Sequence, residues 1–403
     1  MKLIDGNYID LFLNERDYDV RKSHNARWID QKCTPDVLTI IADCILEFIS
    51  EKSDDVRFSS VQIWHNSYTV ANVLDIFKKP SPSDSAARNE YDKFFQQPME
   101  LLSYAGVLDK YNVNGRNFYC VRNKELLEAI SLSERNALKF LVKYITKVLK
   151  DSGLIETFED FFCHQDQEHY AEIKDIFTRF TQNNTPINGK TECWRIFIKV
   201  INPLAYENNS LGTERGRISK DLITYDMLMY NRDNFRDTYQ RKPKGITRKM
   251  HEVPTPSRTK YIEYLTARAI KYVKLINREY NFGLNEIDVT DLEFASQVHH
   301  IFPKSTFPEI AYFIENLINL TPNQHNNHAH PNGDYSRVDK EFQRICLIAK
   351  VGTVKRSILE DWGDYDFNNL LFVVGAGYKT NAFTQIKPND FDEVINQINL
   401  AGS

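Results

Sequence analysis

Five of the ten histidines in this 403-residue chain fall between residues 299 and 330. They sit in Val298-His299-His300-Ile301-Phe302-Pro303, and then in the run from Glu315 and Asn316 to Gln324-His325-Asn326-Asn327-His328-Ala329-His330. The pattern around them leaves little choice of fold. Ser296 to Phe302 is partly β-branched or aromatic and stops at Pro303, which predicts a strand. Residues 303–315 read as a loop and Leu317 to Thr321 as a second strand. Pro322 then opens a helix carrying His325 and His328. Imidazole is the commonest metal ligand and titrates near neutrality. Such a cluster on a strand–loop–strand–helix pattern is what a one-metal hydrolytic site needs.

The rest of the chain reads as helical. Thr34-Pro35 is an N-cap followed by Pro at the first helical position, and Val37, Leu38, Ile41, Ile45, Phe48 and Ile49 keep helical spacing behind it. Further helices are expected near Ser60 and Tyr68. Another runs from Ser85 to Gln97, ended or kinked by Pro98, and a short one runs from Met99 to Ala105 and closes at Gly106. Asn114-Gly115 is the preferred type I′ turn pair, so Leu108–Val113 and Arg116–Val121 form a hairpin. Helices followed by a hairpin resemble a winged helix-turn-helix. Arg88, Asn89, Tyr91 and Lys93 would lie on its recognition helix and Arg116 on its wing, where Arg, Lys and Asn match base-edge donors and acceptors. A purely structural winged helix fits the same pattern. Residues 134–150 and 258–277 are amphipathic helices, helical patterning continues through Phe180, and Asn183 to Gly189 is a loop.

Between these, glycines flank Arg215 and Arg217 and permit close backbone approach to a ligand. Arg232 and Arg236 follow among Tyr, Asn and Phe, a mixture suited to phosphate and base contacts. A salt-bridged helix pair using Asp233 and Asp237 is the competing reading. Net charge is −4, so a nucleic-acid partner must be met locally. From Tyr239 to Lys260 seven Lys and Arg residues, Arg248 and Lys249 among them, face only Glu252. The six cysteines are scattered without a C-x-x-C, which argues against a disulfide framework or a Cys₄ zinc. No apolar run approaches the roughly 18–20 residues that span a bilayer. The opening Met1 to Asn7 has no signal-peptide pattern. A cytoplasmic protein without membrane attachment is expected.

The His-His pair, the Asn of Asn316-Leu317-Ile318-x-Leu320, and a His nine residues on at the helix start resemble the HNH, or ββα-metal, nuclease family over about residues 296–333. The resemblance implies that His299 and His325 bind a divalent metal, that His300 is the general base, and that Asn316 ties down the loop and orients the base. A colicin-type third ligand would fall on Ala329. The Gln324-His325-Asn326 to Ala329-His330-Pro331 string instead matches a restriction-enzyme subgroup and points to His330, with His328 open as the alternative. Imidazole favours Mn²⁺, Ni²⁺ or Zn²⁺, and Mg²⁺ is expected by abundance. No structural zinc is expected, so Tyr312, Phe313, Phe342, Ile345, Leu347 and Ile348 must supply packing in its place.

The expected fold is therefore mainly α with small β elements. It comprises a winged-helix-like DNA-recognition region (1–130), a helical region with a basic linker (131–255) and an HNH nuclease domain with a C-terminal extension (256–403). The function implied is a sequence-specific endonuclease of a restriction-modification system, acting on double-stranded DNA beside a cognate DNA methyltransferase, with a homodimer admitted. A modification-dependent or other anti-phage nuclease and a non-enzymatic winged-helix regulator are the rivals.

Overall fold

The computed structural model describes residues 3–50, 52, 56–77, 79, 81–83, 88–230, 259–288, 293–329 and 338–402, with residues 88–91 described in backbone alone. The chain divides into two compact units, Gly6–Pro256 and Met1–Asp5 with Ser257–Ser403. Both are mainly helical, with three two-stranded antiparallel sheets among the described residues.

The first unit opens with α1 (Gly6–Asn14) and α2 (Val20–Ser23), followed by α3 (Pro35–Ile49). Residues Pro35 to Ile45 of α3 are buried without a break, so this helix is an all-round core element and not an amphipathic one. Thr34 holds the extended N-cap conformation, but its hydroxyl donates to Asp36 (2.7 Å) and does not cap the helix. A capping box of Ser59 and Gln62 starts α4 (Ser60–Trp64), and α5 (Ser67–Phe77) follows.

The two helices expected on either side of Pro98 are one, α6 (Arg88–Tyr104). Proline costs α6 one backbone bond, yet Phe94, Phe95, Met99, Leu101 and Leu102 are all buried and hold the helix together across it. Gly106 then takes a positive φ of 84° to end it. The hairpin β1 (Leu108–Val113) and β2 (Arg116–Val121) pairs Leu108 with Val121 and Val113 with Arg116. Asn114 and Gly115 both have positive φ (51° and 76°), as a type I′ turn requires. Phe58 bridges antiparallel to Tyr119 and so adds a third strand segment to the hairpin.

Helices α7 (Lys124–Leu132) and α8 (Glu134–Asp151) pack on α3. Then α9 (Ile155–His164), α10 (Gln167–Asn184) and α11 (Lys190–Glu207) meet around Phe158, Phe177 and Phe197. A tight hairpin, β3 (Thr213–Glu214) and β4 (Arg217–Ile218), precedes α12 (Tyr225–Leu228).

The second unit contains α13 (Thr259–Tyr280), β5 (Gln297–His300), β6 (Leu317–Leu320), α14 (Lys340–Leu359), α15 (Phe367–Tyr378) and α16 (Phe391–Ala401). All four β6 residues are buried, and α13 packs against that strand. Its interior holds an ion pair: Lys350 Nζ lies 2.5 Å from Glu286 Oε2, with both side chains almost wholly buried. Glu286 also accepts from Asn319 N and Nδ2 (2.8 Å each) and from Thr353 Oγ1 (2.8 Å). Burial alone would raise the Glu286 carboxyl. The Lys350 ammonium and the Asn319 donors outweigh it and hold the carboxyl below the ordinary carboxylate value.

All six cysteines are free thiols, and Cys346, inside the second unit, is buried. The packing expected from six residues there is shared differently. Leu347 is buried, Tyr312, Phe313, Phe342 and Ile348 are half-buried, and Ile345 is exposed, because its face of α14 points outward. Ile301, Phe302, Ile310, Leu317, Ile318 and Val351 supply the core instead. Among the described residues no helix is long and apolar enough to cross a membrane.

Candidate functional site

Strand β5 ends at His300, one residue before the chain turns away, and pairs with β6 in a register that sets His299 opposite Ile318 and His300 opposite Leu317. Adjacent strand residues point to opposite faces, and the two histidines do have different surroundings. His299 is buried (4% exposed), with its ring edge-on to His325, centroids 5.3 Å apart. The half-buried His300 turns toward the following loop, where its Nε2 lies 3.1 Å from the carbonyl oxygen of Ala311. A carbonyl only accepts, so the His300 proton sits on Nε2 and the lone pair is on Nδ1. Desolvation pushes the His300 imidazole below its ordinary value; the Ala311 carbonyl opposes this, and the positive charge of Lys304 adds to it. The ring is thus neutral at neutral pH, with an acceptor nitrogen.

Asn316 is fully buried and organises the loop between the strands. Its Oδ1 accepts from Phe302 N (2.8 Å), while its Nδ2 donates to the carbonyls of Phe302 (3.0 Å) and Ile310 (3.2 Å). Its own carbonyl accepts from Ile301 N (2.9 Å). Ile310 immediately precedes Ala311, the residue that holds His300, so one side chain fixes both ends of the loop on which the His300 ring depends.

The helix after β6 departs from the expected α form. Thr321 and Gln324 satisfy one another reciprocally, Thr321 N to Gln324 Oε1 at 3.0 Å and Gln324 N to Thr321 Oγ1 at 3.2 Å, as in a capping box. From Gln324 to Ala329 the chain then winds as a π turn, a form that recurs at functional sites. Gln324 is tied to Asn285 Oδ1 (3.2 Å). His325 is half-buried, and its Nδ1 donates to Asn326 Oδ1 (3.1 Å), which leaves Nε2 as its acceptor nitrogen. His328 is exposed and stacks on Phe342 (5.6 Å, 28°). His330 lies outside the described residues.

The structure therefore brings His299 and His325 together, while His300, at the end of β5, and Asn316 both bond to the loop between the strands. Among the described residues no third His, Cys, Asp or Glu joins the imidazole pair. Two imidazole nitrogens suit a borderline divalent ion such as Mn²⁺, Ni²⁺ or Zn²⁺ better than a hard cation that favours oxygen ligands.

The residues expected to contact DNA are spread widely. Arg88 and Asn89 lie in the first turn of α6, Lys93 is exposed one turn on, and Arg116 is exposed at the start of β2. Arg215 and Arg217 are exposed on the β3–β4 hairpin. The glycines beside them have structural duties: Gly216 takes a positive φ of 79° in the turn, and a Cβ on Gly212 would sit 2.7 Å from Asn202 Oδ1 and from Ile223. Arg232, Arg236, Arg248 and Lys249 lie outside the described residues.

Three supporting residues went unseen in the sequence. Gln343 donates through Nε2 to the Ile301 carbonyl (2.6 Å). Gly377 on α15 faces the Phe302 ring so closely that a Cβ would lie 2.3 Å from it. Glu286 anchors Asn319 of β6. The Gly375-Ala376-Gly377 run inside a helix was the available signal for close packing; nothing comparable marked the other two. Comparison of the chain with protein-family models, curated proteins and solved structures finds no match.

Proposed function

We propose that this chain is a metal-dependent DNA endonuclease of the HNH, or ββα-metal, type, acting as a sequence-specific restriction enzyme. The observation that carries the reading is the tautomer of His300. His300 Nε2–H donates to the Ala311 carbonyl and burial favours the neutral ring, so Nδ1 is an acceptor at neutral pH. A general base needs that form. Nδ1 would take the proton of a water attacking the phosphorus, and the bond to the 3′ oxygen would break, leaving 5′-phosphate and 3′-hydroxyl ends. A divalent ion held by His299 and His325, Mg²⁺ or Mn²⁺ in the cell, would supply charge neutralisation at the phosphate and leaving oxygen. Asn316 would position the base through the loop.

The order in the first unit supports a winged-helix reader: α3, the Phe58 strand segment, α4 and α5, α6, then the β1–β2 hairpin. On this reading Lys93 and Arg116 face double-stranded DNA, α6 enters the major groove, and a partner methyltransferase protects the host.

Incubation of the full chain with long phage genomic DNA and Mg²⁺ or Mn²⁺ tests the reading. Discrete fragments with 5′-phosphate ends are expected, and they should vanish with the His299→Ala/His325→Ala double variant. DNA left intact with every divalent ion, both unmethylated and methylated, would overturn the nuclease assignment. Cleavage confined to methylated DNA would convert it to the modification-dependent form.

A further inference from the structure

A second pair of histidines stands at the corner between α9 and α10, in the first unit. His164 is the last residue of α9, Asp160 lies one turn before it, and His169 is the third residue of α10. One ligand atom from each of the three lies within 4.8 Å of the others. The two rings are parallel, with centroids 4.2 Å apart.

Their hydrogen bonds decide which nitrogens are presented. His164 Nδ1 lies 2.9 Å from the Asp160 carbonyl oxygen, to which it donates, and 3.2 Å from Asp160 Oδ1. His169 Nδ1 donates to Asp166 Oδ1 (2.7 Å), and the same oxygen accepts the His169 backbone N–H (2.9 Å). In its neutral form each ring carries its lone pair on Nε2. The hydrogen bond to Asp166, with the charges of Asp166 and Asp160, raises the His169 imidazole above its ordinary value, so an ion has to displace a proton there. His169 Nε2 faces Asp160 Oδ2 at 3.8 Å. With His169 neutral, those two atoms are both acceptors, and a cation can join them in place of the proton. A carboxylate on the distal nitrogen of a histidine is also the usual support of a metal-ligating ring, because it locks tautomer and orientation together. Asp166 does this for His169 while serving as the N-cap of α10, so the support is built into the helix start.

We propose that Asp160, His164 and His169 form a binding site for one borderline divalent ion, with Zn²⁺ as the type ligand. Asp166 orients His169, and water completes the coordination. Two imidazoles and one carboxylate suit Zn²⁺, Co²⁺ or Ni²⁺ better than Mg²⁺, which favours oxygen ligands. All three side chains reach solvent, so entry needs no opening motion. The ion would clip α9 to α10 across the intervening Gln165. That residue accepts the Leu211 N–H (2.9 Å) at the approach to the β3–β4 hairpin, and Tyr170 of α10 bonds Thr213 within it (2.6 Å). The clip thus stiffens the support of the hairpin that carries Arg215 and Arg217. The site is independent of the histidine cluster in the second unit.

Calorimetric titration of the untagged full chain with Zn²⁺ tests the proposal. The background carries Cys163→Ser, which removes an exposed thiol, and His299→Ala/His325→Ala, which reduces zinc uptake by the second unit. Adding His164→Ala and His169→Ala should remove one equivalent of Zn²⁺ with no change in helical circular dichroism. His169→Gln alone should do the same. Asp166→Asn should weaken that equivalent by about 10–100-fold. Mg²⁺ should give no heat at this site, and Zn²⁺ should slow amide exchange at Leu211. An unchanged zinc count after His164→Ala and His169→Ala overturns the site, whatever the nuclease assay reads. An unchanged affinity in Asp166→Asn removes Asp166 from it.

Discussion

Asn316 does at the residue scale what a metal or a disulfide does in other small folds. It closes the loop from Phe302 to Ile310 with three side-chain bonds from a fully buried position. Asn316→Ala leaves one amide and two carbonyls without these partners, and each such group costs about 1–3 kcal/mol. A loss of about 3 kcal/mol or more in urea denaturation is expected, together with loss of His300 positioning. A loss below about 1 kcal/mol would mean that the loop is held elsewhere. His300→Ala should cost less than Asn316→Ala, about 1–3 kcal/mol, since it strands one carbonyl, that of the buried Ala311. It should slow cleavage by about 10²–10⁴-fold, the usual worth of a positioned base, with duplex affinity retained in gel-shift titration. Equal losses of binding and cleavage would assign His300 to DNA contact. That His299 would meet His325 and that Asn316 would tie down the loop was legible through the resemblance their types and spacing carry. Which nitrogen of His300 holds the proton was not, because Ala311 is brought there only by the folded loop.

At the scale of the element, local and tertiary causes separate cleanly. The β1–β2 hairpin is a local event: Asn114-Gly115 favours positive φ at both turn positions, and the strands on either side alternate around it. A Cβ at Gly115 would meet nothing within 4 Å, so Gly115→Ala isolates the backbone cost. A loss of about 1–2 kcal/mol is expected, measured by thermal unfolding, and a neutral result would show that the turn type is not maintained in solution. Gly377 is the opposite case. Its backbone is ordinary, yet a Cβ would strike the Phe302 ring. Gly377→Ala should therefore cost about 1–3 kcal/mol by overpacking, and Gly377→Ala with Phe302→Leu should recover part of it. A double variant worse than the single one would refute the contact. Helix α6 carries the same lesson: Pro98 reads locally as a stop, and burial of the residues around it overrides that signal.

At the scale of the whole molecule, the second unit rests on a charged core. Lys350 and Glu286 are almost completely buried and bonded to one another. Removing one partner strands the other, which costs about 3–5 kcal/mol, whereas an apolar pair of similar volume is often neutral. Lys350→Met should therefore destabilise strongly, and Lys350→Met with Glu286→Leu should restore only part of the loss, because Asn319 and Thr353 then lose their acceptor. The folded Glu286 carboxyl is held below its ordinary 4.5, and the unfolded chain titrates near that value. Its contribution is accordingly present in full above the ordinary value and fades as pH falls through the lower, folded one. Acid titration followed by circular dichroism should place an unfolding step below about pH 4.5 in wild type, and the Lys350→Met/Glu286→Leu variant should lose that step. Identical acid profiles would show that other carboxylates govern the transition.

What the sequence determined by itself was whatever depends on neighbours in the chain: the amphipathic helices, the Asn114-Gly115 turn, the strand–loop–strand order, and the clustering of five histidines within one short stretch. These follow from backbone sterics and from period, which act over a few residues. Tertiary structure decided the rest. It ran α6 through Pro98, set the His299 ring beside His325, turned His300 to Ala311 and buried Glu286 against Lys350. Each of these outcomes depends on groups distant in sequence that meet only after burial. There satisfied hydrogen bonds and filled volume outweigh the few tenths of a kcal/mol that local propensity contributes per ordinary residue, and at Pro98 the burial of several side chains outweighs about 3 kcal/mol.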